Sequence, residues 1–144
     1  MAVKKDTFLL WFIVLCFLMG GDTIAASTKE YELNLIQGVQ WTNTDSIKVN
    51  LSFDGGKAMC GACVIGKTNT TEVIGNVTLD RKNSDGTSTT VKKWNDLKTT
   101  GDMLIFNETY YVTTGYTYRL TITSTVYRNG NGETVSDYYE ANAS

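Results

Sequence analysis

Histidine and proline are absent from the 144 residues, and cysteine occurs three times. Without histidine the chain lacks the commonest general base near neutral pH and the commonest transition-metal ligand. Much catalysis is thereby disfavoured, and neither a catalytic residue set, a bound metal nor a cofactor is expected. Proline removes a backbone donor and is poorly tolerated inside sheets, so its absence fits a chain made of strands and short turns. A charge excess is also missing: 13 basic and 15 acidic residues give a net charge of -2. That balance argues against a nucleic-acid partner. With 42% hydrophobic and 19% charged residues, and a mean hydropathy of -0.17, the chain is neither a disordered tail nor a polytopic membrane protein.

What is present begins with an address. Lys4 and Lys5 precede a run of twelve apolar residues, Phe8 to Met19, then Gly20-Gly21-Asp22-Thr23 and Ile24-Ala25-Ala26-Ser27. Positive, apolar and small segments in that order are the pattern of a cleavable secretory signal. The run is short for a bilayer span, which takes about 20 residues. Cleavage after Ala25 or Ala26 is expected, with a membrane tie only through an uncleaved signal segment. Cys16 lies inside the run behind Val14-Leu15, which does not suit a lipid-attachment site. Residues 1–26 therefore read as a signal peptide and 27–144 as a single exported domain. Removing the signal leaves Cys60 and Cys63.

The remainder alternates. Tyr31, Leu33 and Leu35 recur at period two, as do Ile47, Val49, Leu51 and Phe53, the side-chain period of a half-buried strand. Asp54-Gly55-Gly56-Lys57 predicts a turn. Ala58, Cys60, Ala62 and Val64 share the next face, and Val73, Val77 and Leu79 another after a connection over Gly66–Thr71. Asn83-Ser84-Asp85-Gly86 predicts a turn before a Thr-rich strand ending near Trp94, and a loop is expected from Asn95 to Asp102. Leu104, Phe106, Tyr110 and Val112 follow, then the longest pattern, Tyr116, Tyr118, Leu120, Ile122, Ser124 and Val126. Asn129-Gly130-Asn131-Gly132 marks a hairpin, and Thr134–Ala141 the closing strand. About eight short strands at this spacing predict an all-β, antiparallel sandwich with a signal-peptide helix ahead of it. Trp41 and Trp94 are expected to anchor the core.

Val112-Thr113-Thr114-Gly115-Tyr116-Thr117-Tyr118-Arg119-Leu120-Thr121-Ile122 resembles the entry to the penultimate strand of fibronectin-type and immunoglobulin-like sandwiches. The resemblance implies that Tyr118 bonds back to the backbone as a structural tyrosine corner. Gly56-Lys57-Ala58, Val77-Thr78-Leu79, Trp94 and Gly115 to Leu120 together resemble a loose group of small exported proteins of Gram-positive bacteria without assigned function. That likeness implies an immunoglobulin-like sandwich and supplies no catalytic residues.

Cys60-Gly61-Ala62-Cys63 carries the only obvious chemical potential. A C-x-x-C pair serves as a redox site, half a zinc site or a disulfide. The redox use needs a helix after the first thiol, whereas Val64-Ile65 favours a strand. Zinc needs four ligands. A disulfide suits an exported protein, but residues three apart on a strand lie about 10 Å apart on opposite faces. On a regular strand Cys60 faces the core and Cys63 faces outward beside Met59; a bulge at Gly61 would permit a bridge. Asp54, Asp80, Asp85, Asp96 and Asp102 fall mostly at turns and form no recognisable acid pair. Asn83–Gly86 and Asn129–Glu133 lack the full ligand series of a calcium loop. Asn-x-Ser/Thr triplets at Asn50, Asn69, Asn76, Asn107 and Asn142 matter only in a eukaryotic secretory pathway. Tyr110-Tyr111 and Tyr138-Tyr139 each put one ring on either strand face, where the outward ring is a candidate contact for a sugar or a protein. The expected function is a non-catalytic secreted or cell-surface module with a protein or glycan partner. A carbohydrate-binding module and a small thiol-disulfide enzyme are the alternatives.

Overall fold

The computed structural model describes residues 40–144. The expected signal peptide and the Tyr31–Leu35 strand lie outside the described residues. From Asn43 onward the chain forms seven strands: β1 (Thr44–Asp54), β2 (Lys57–Gly66), β3 (Thr70–Lys82), β4 (Ser88–Thr100), β5 (Met103–Tyr111), β6 (Tyr116–Arg128) and β7 (Asn131–Ala143). All pairings are antiparallel. They make a three-stranded sheet, β1-β2-β5, and a four-stranded sheet, β4-β3-β6-β7. Of the eight strands expected, seven are therefore seen. Among the described residues there is no helix, and none long and apolar enough to cross a membrane.

The alternation in the sequence becomes the core because each strand turns one set of side chains inward. Leu51, Ala58, Cys60, Ala62 and Val64 meet Val73, Val77, Leu79, Leu120, Ile122 and Val126 from the facing sheet, all but Leu51 fully buried. Leu104 and Phe106 extend this layer on β5. Gly75 marks the tightest approach: a Cβ there would lie 3.2 Å from Leu104 Cδ2 and 3.3 Å from Ser124 Oγ. The missing side chain lets the sheets close at that point.

The turns follow their residues. Asn129 and Gly130 connect β6 to β7 with φ of 52° and 77°, the left-handed pair that a two-residue hairpin demands and that Asn-Gly supplies. Gly55-Gly56 joins β1 to β2 in the same two-residue manner. The expected loop from Asn95 is instead continuous strand. β4 runs to Thr100, and Asn95 and Asp96 together face the single residue Asn76. Asp96 takes a φ of 57° and donates its amide to Asn76 Oδ1 at 3.0 Å. The polar pair that suggests a loop thus builds a β-bulge.

β1 is fastened to the far sheet by polar groups. Asn43 N, Thr44 N and Thr44 Oγ1 all donate to Glu133 Oε2 at 2.9 Å. Asn43 Nδ2 donates to the carbonyls of Val126 and Asn131. Both residues are buried, and these bonds satisfy donors that would otherwise be orphaned.

Candidate binding site

The cysteines sit on β2, the middle strand of its sheet. Cys60 pairs across to Leu51 and Glu108, Cys63 to Lys48 and Ile105, so the two side chains leave opposite faces of a regular strand. No bulge interrupts this stretch, and the two cysteines are not bridged to each other. The outward exposure expected for Cys63 is corrected: it is 1% exposed, against 0% for Cys60. Burial, with a smaller contribution from Glu108, pushes the Cys60 thiol up to about 12. A thiol with that pKa is protonated at neutral pH and is a poor nucleophile.

Tyr118 is buried to 1%, and its hydroxyl donates to the Thr113 carbonyl at 2.7 Å across the turn that enters β6. Its ring packs on Phe53 of the opposite sheet, with centroids 5.6 Å apart. Burial raises its pKa, so the hydroxyl remains a donor. Trp94 is half-buried and reaches across from β4 to β5. Its ring meets Phe106 at 5.0 Å and Tyr110 at 6.3 Å, with Lys92 Nζ 5.8 Å from both the Trp94 and Tyr110 rings. Tyr110 therefore closes the side of the sandwich, whereas Tyr111, on the other face of β5, is 76% exposed. Trp41 is half-buried.

Tyr138 and Tyr139 are 56% and 48% exposed on β7. Around Tyr138 the register assembles charge. Arg119 pairs across to Glu140, and the two side chains bond through Nε to Oε1 at 2.7 Å. Lys82, at the end of β3, reaches the same carboxylate at 3.1 Å. Arg119 also lies over the Tyr138 ring, 4.3 Å from its centroid. A second stack lies at the strand ends: the Arg81 guanidinium is 4.7 Å from the centroid of Tyr116. Hydrogen bonds from Arg119 and Lys82 hold the Glu140 carboxyl below the usual carboxylate range.

Arg81, Lys82, Tyr116 and Glu140 line a groove of about 680 Å³ together with Asn83, Ser84, Gly115 and Thr117. It lies between the β3–β4 turn and the start of β6. Tyr116 opens the apolar pattern of β6 in the sequence, yet it is 42% exposed because it lies beyond the end of the core. The structure thus separates the tyrosine candidates. Tyr138 and Tyr139 sit on the four-stranded sheet, Tyr110 is packed at the β4–β5 side, and Tyr111 projects from the other sheet. Arg81, Lys82, Arg119 and Glu140 carried no signal along the sequence. Only strand register brings them together, and the Tyr-x-Tyr-Arg run at Tyr116 was the nearest cue.

Among the described residues no group of three His, Cys, Asp or Glu side chains is placed to hold a metal ion. No family model matches the chain, and no curated protein matches it. Among solved structures, the solution structure of R. palustris CsgH aligns at 11% identity and a TM-score of 0.39, covering 62% of this chain and 87% of that one. The crystal structure of Spo0M, a sporulation control protein from Bacillus subtilis, aligns at 12% identity and a TM-score of 0.42. It covers 69% of this chain, which spans about half (49%) of the Spo0M chain. Likenesses this distant carry no function over to this chain.

Proposed function

We propose that the protein is an exported, non-catalytic β-sandwich module of immunoglobulin-like type that binds a partner through the β6–β7 end of its four-stranded sheet. Lettered A to G in chain order, the strands form sheets A-B-E and D-C-F-G. This differs from the immunoglobulin constant order, A-B-E-D and C-F-G, only in the sheet that the fourth strand joins. The signal-like first 26 residues support export to the medium or the cell surface.

One observation carries the binding role: exposed Tyr116 and Tyr138 are each stacked under an arginine, the first of them at a groove, while the two described thiols are buried. Exposed aromatic rings held by cations and flanked by hydroxyls suit recognition rather than turnover. Thr117, Thr121, Thr123 and Thr125 alternate along β6 on the same face as Arg119, opposite Asn142, Tyr138, Ser136 and Thr134 of β7. That hydroxyl-rich face favours a glycan over an apolar protein surface. The thiol-disulfide alternative is disfavoured because Cys60 lacks an accessible thiolate.

The test is a glycan-array screen of the secreted protein beside an insulin-reduction assay. Saturable glycan binding that falls in Tyr138→Ala, with no thiol-dependent turnover, is the expected result. Reductase activity abolished by Cys60→Ser overturns the non-catalytic reading; an empty array removes the glycan partner.

A further inference from the structure

We propose that the groove at the ends of β3 and β6 is a site for the carboxylate of an acidic sugar, with Arg81 as the anion-reading residue and Tyr116 as the adjoining ring. The proposal rests on the binding-module reading and adds to it a ligand class and a residue that selects it.

The charge arrangement is the first reason. Of the basic residues at this end of the sheet, Lys82 and Arg119 turn to one face with Glu140, whereas Arg81, opposite Tyr118, turns to the other face and stacks on Tyr116. Lys82 and Arg119 both bond to Glu140. Arg81 is left over, and no described carboxylate pairs with it. Its Nε is buried and has no acceptor. A buried guanidinium donor without an acceptor is rare and costly, and arginine cannot shed its proton to relieve the cost. Arg81 also lines the groove, where a ligand carboxylate can approach the guanidinium.

Geometry is the second reason. Stacking on Tyr116 fixes the guanidinium plane, which leaves fewer side-chain conformations to be lost when a carboxylate docks in the planar fork. The groove volume of about 680 Å³ falls in the range of small-molecule sites, about 300–1,000 Å³.

The rest of the lining selects a sugar among anions. Asn83 Nδ2 and Thr117 Oγ1 donate within the protein, so Asn83 Oδ1 and Thr117 Oγ1 are left as acceptors for sugar hydroxyls beside the Ser84 hydroxyl, and the 42% of Tyr116 left exposed offers a surface for the C–H face of a pyranose. A nucleic acid would need an extended basic stripe, whereas the whole chain carries a net charge of -2. A uronic-acid residue within a polysaccharide meets all three demands: one carboxylate, several hydroxyls and an apolar face.

The experiment is an NMR titration of the secreted protein with trigalacturonate and with a hyaluronan tetrasaccharide. Fully methyl-esterified trigalacturonate, a peptide ending in a free carboxylate, and inorganic phosphate serve as comparisons. Saturable shifts of the Ser84, Gly115 and Thr117 amides with at least one uronate, and none with the ester, are expected. Arg81→Gln should weaken that binding by about tenfold or more, the scale of one charge-assisted hydrogen bond, and raised salt should weaken it further. Tyr116→Ala, an exposed position, gives a second variant should Arg81→Gln fail to fold. Lys93→Gln on β4 should bind as the wild type does. The proposal falls if neither uronate binds, if the ester binds equally, if Arg81→Gln binds as the wild type, or if phosphate or the peptide binds as tightly as the sugar. Binding of neutral glycans that ignores Arg81 would sink this site and leave the binding-module reading standing.

Discussion

The Tyr118 hydroxyl is a buried donor whose single acceptor, the Thr113 carbonyl, lies five residues back along the chain. Removing the hydroxyl leaves the ring packed on Phe53 and loses the bond alone. Tyr118→Phe should therefore cost about 1 kcal/mol, the net worth of one intramolecular hydrogen bond, measured by urea denaturation. A variant unfolding at the wild-type midpoint would deny the bond a structural role. Cys60 makes the complementary case, a reactive group that folding silences. Its thiol has a pKa of about 12 and no exposed surface, so iodoacetamide at pH 8 should label it only after unfolding. Peptide mapping of labelled native protein checks this, and native-state labelling at Cys60 would contradict the burial. Both residues stand out in the sequence, Tyr118 by its place in an alternating strand and the cysteines by their spacing. The burial of Cys63 does not. Strand parity places Cys63 on the outward face, but parity says nothing of whether that face is open to solvent.

At the scale of elements, the strands were legible because period-two alternation and Asn-Gly or Gly-Gly turns are local signals. The bulge at Asn95-Asp96 was hidden, since the residues that open a loop also tolerate the left-handed backbone of a bulge. The groove at the ends of β3 and β6 was hidden for a different reason. Lys82, Arg119 and Glu140 beside it lie on three strands, and their meeting depends on a register that the sequence pattern does not number. The clasp at Glu133 belongs to the same kind of long-range pairing. One carboxylate oxygen receives three donors from the start of β1, which binds that strand to the β6–β7 hairpin. Glu133→Ala leaves the Asn43 and Thr44 amides without that acceptor, at a cost of about 1–3 kcal/mol. Amide exchange should locate the damage: protection should fall at the start of β1 more than in the β3–β6 pair. Uniform loss across both sheets would mean that the clasp supports the whole fold and not one strand.

For the whole molecule, the titrating groups oppose one another. Asp137 pairs with Ile122 on the inward face of β7, and burial raises its pKa, with the hydrogen bond from the Tyr138 amide and then Lys48 offsetting part of the rise. A carboxyl whose folded pKa exceeds its unfolded value binds more protons in the folded state, so its charged form opposes folding at neutral pH. As pH falls through the folded pKa of Asp137 the group takes up its proton and stability rises. Glu140 and Asp85 act in the other direction. Arg119 and Lys82 hold the first low, and Thr87 hydrogen bonds hold the second low. Their contributions are full above the unfolded carboxylate pKa and are lost as pH drops through their depressed folded values. Both are well solvated, so each effect is small and weakens with salt. The melting temperature should accordingly pass through a maximum on the acid side of neutrality, and fall again below the normal carboxylate range. Asp137→Asn removes the ascending limb only: it should raise the melting temperature at pH 7, match the wild type near the maximum, and leave the acid limb in place. Calorimetric scans from pH 3 to 8 on both proteins decide the matter. If the ascending limb survives in Asp137→Asn, the burial of this carboxyl is not what sets it.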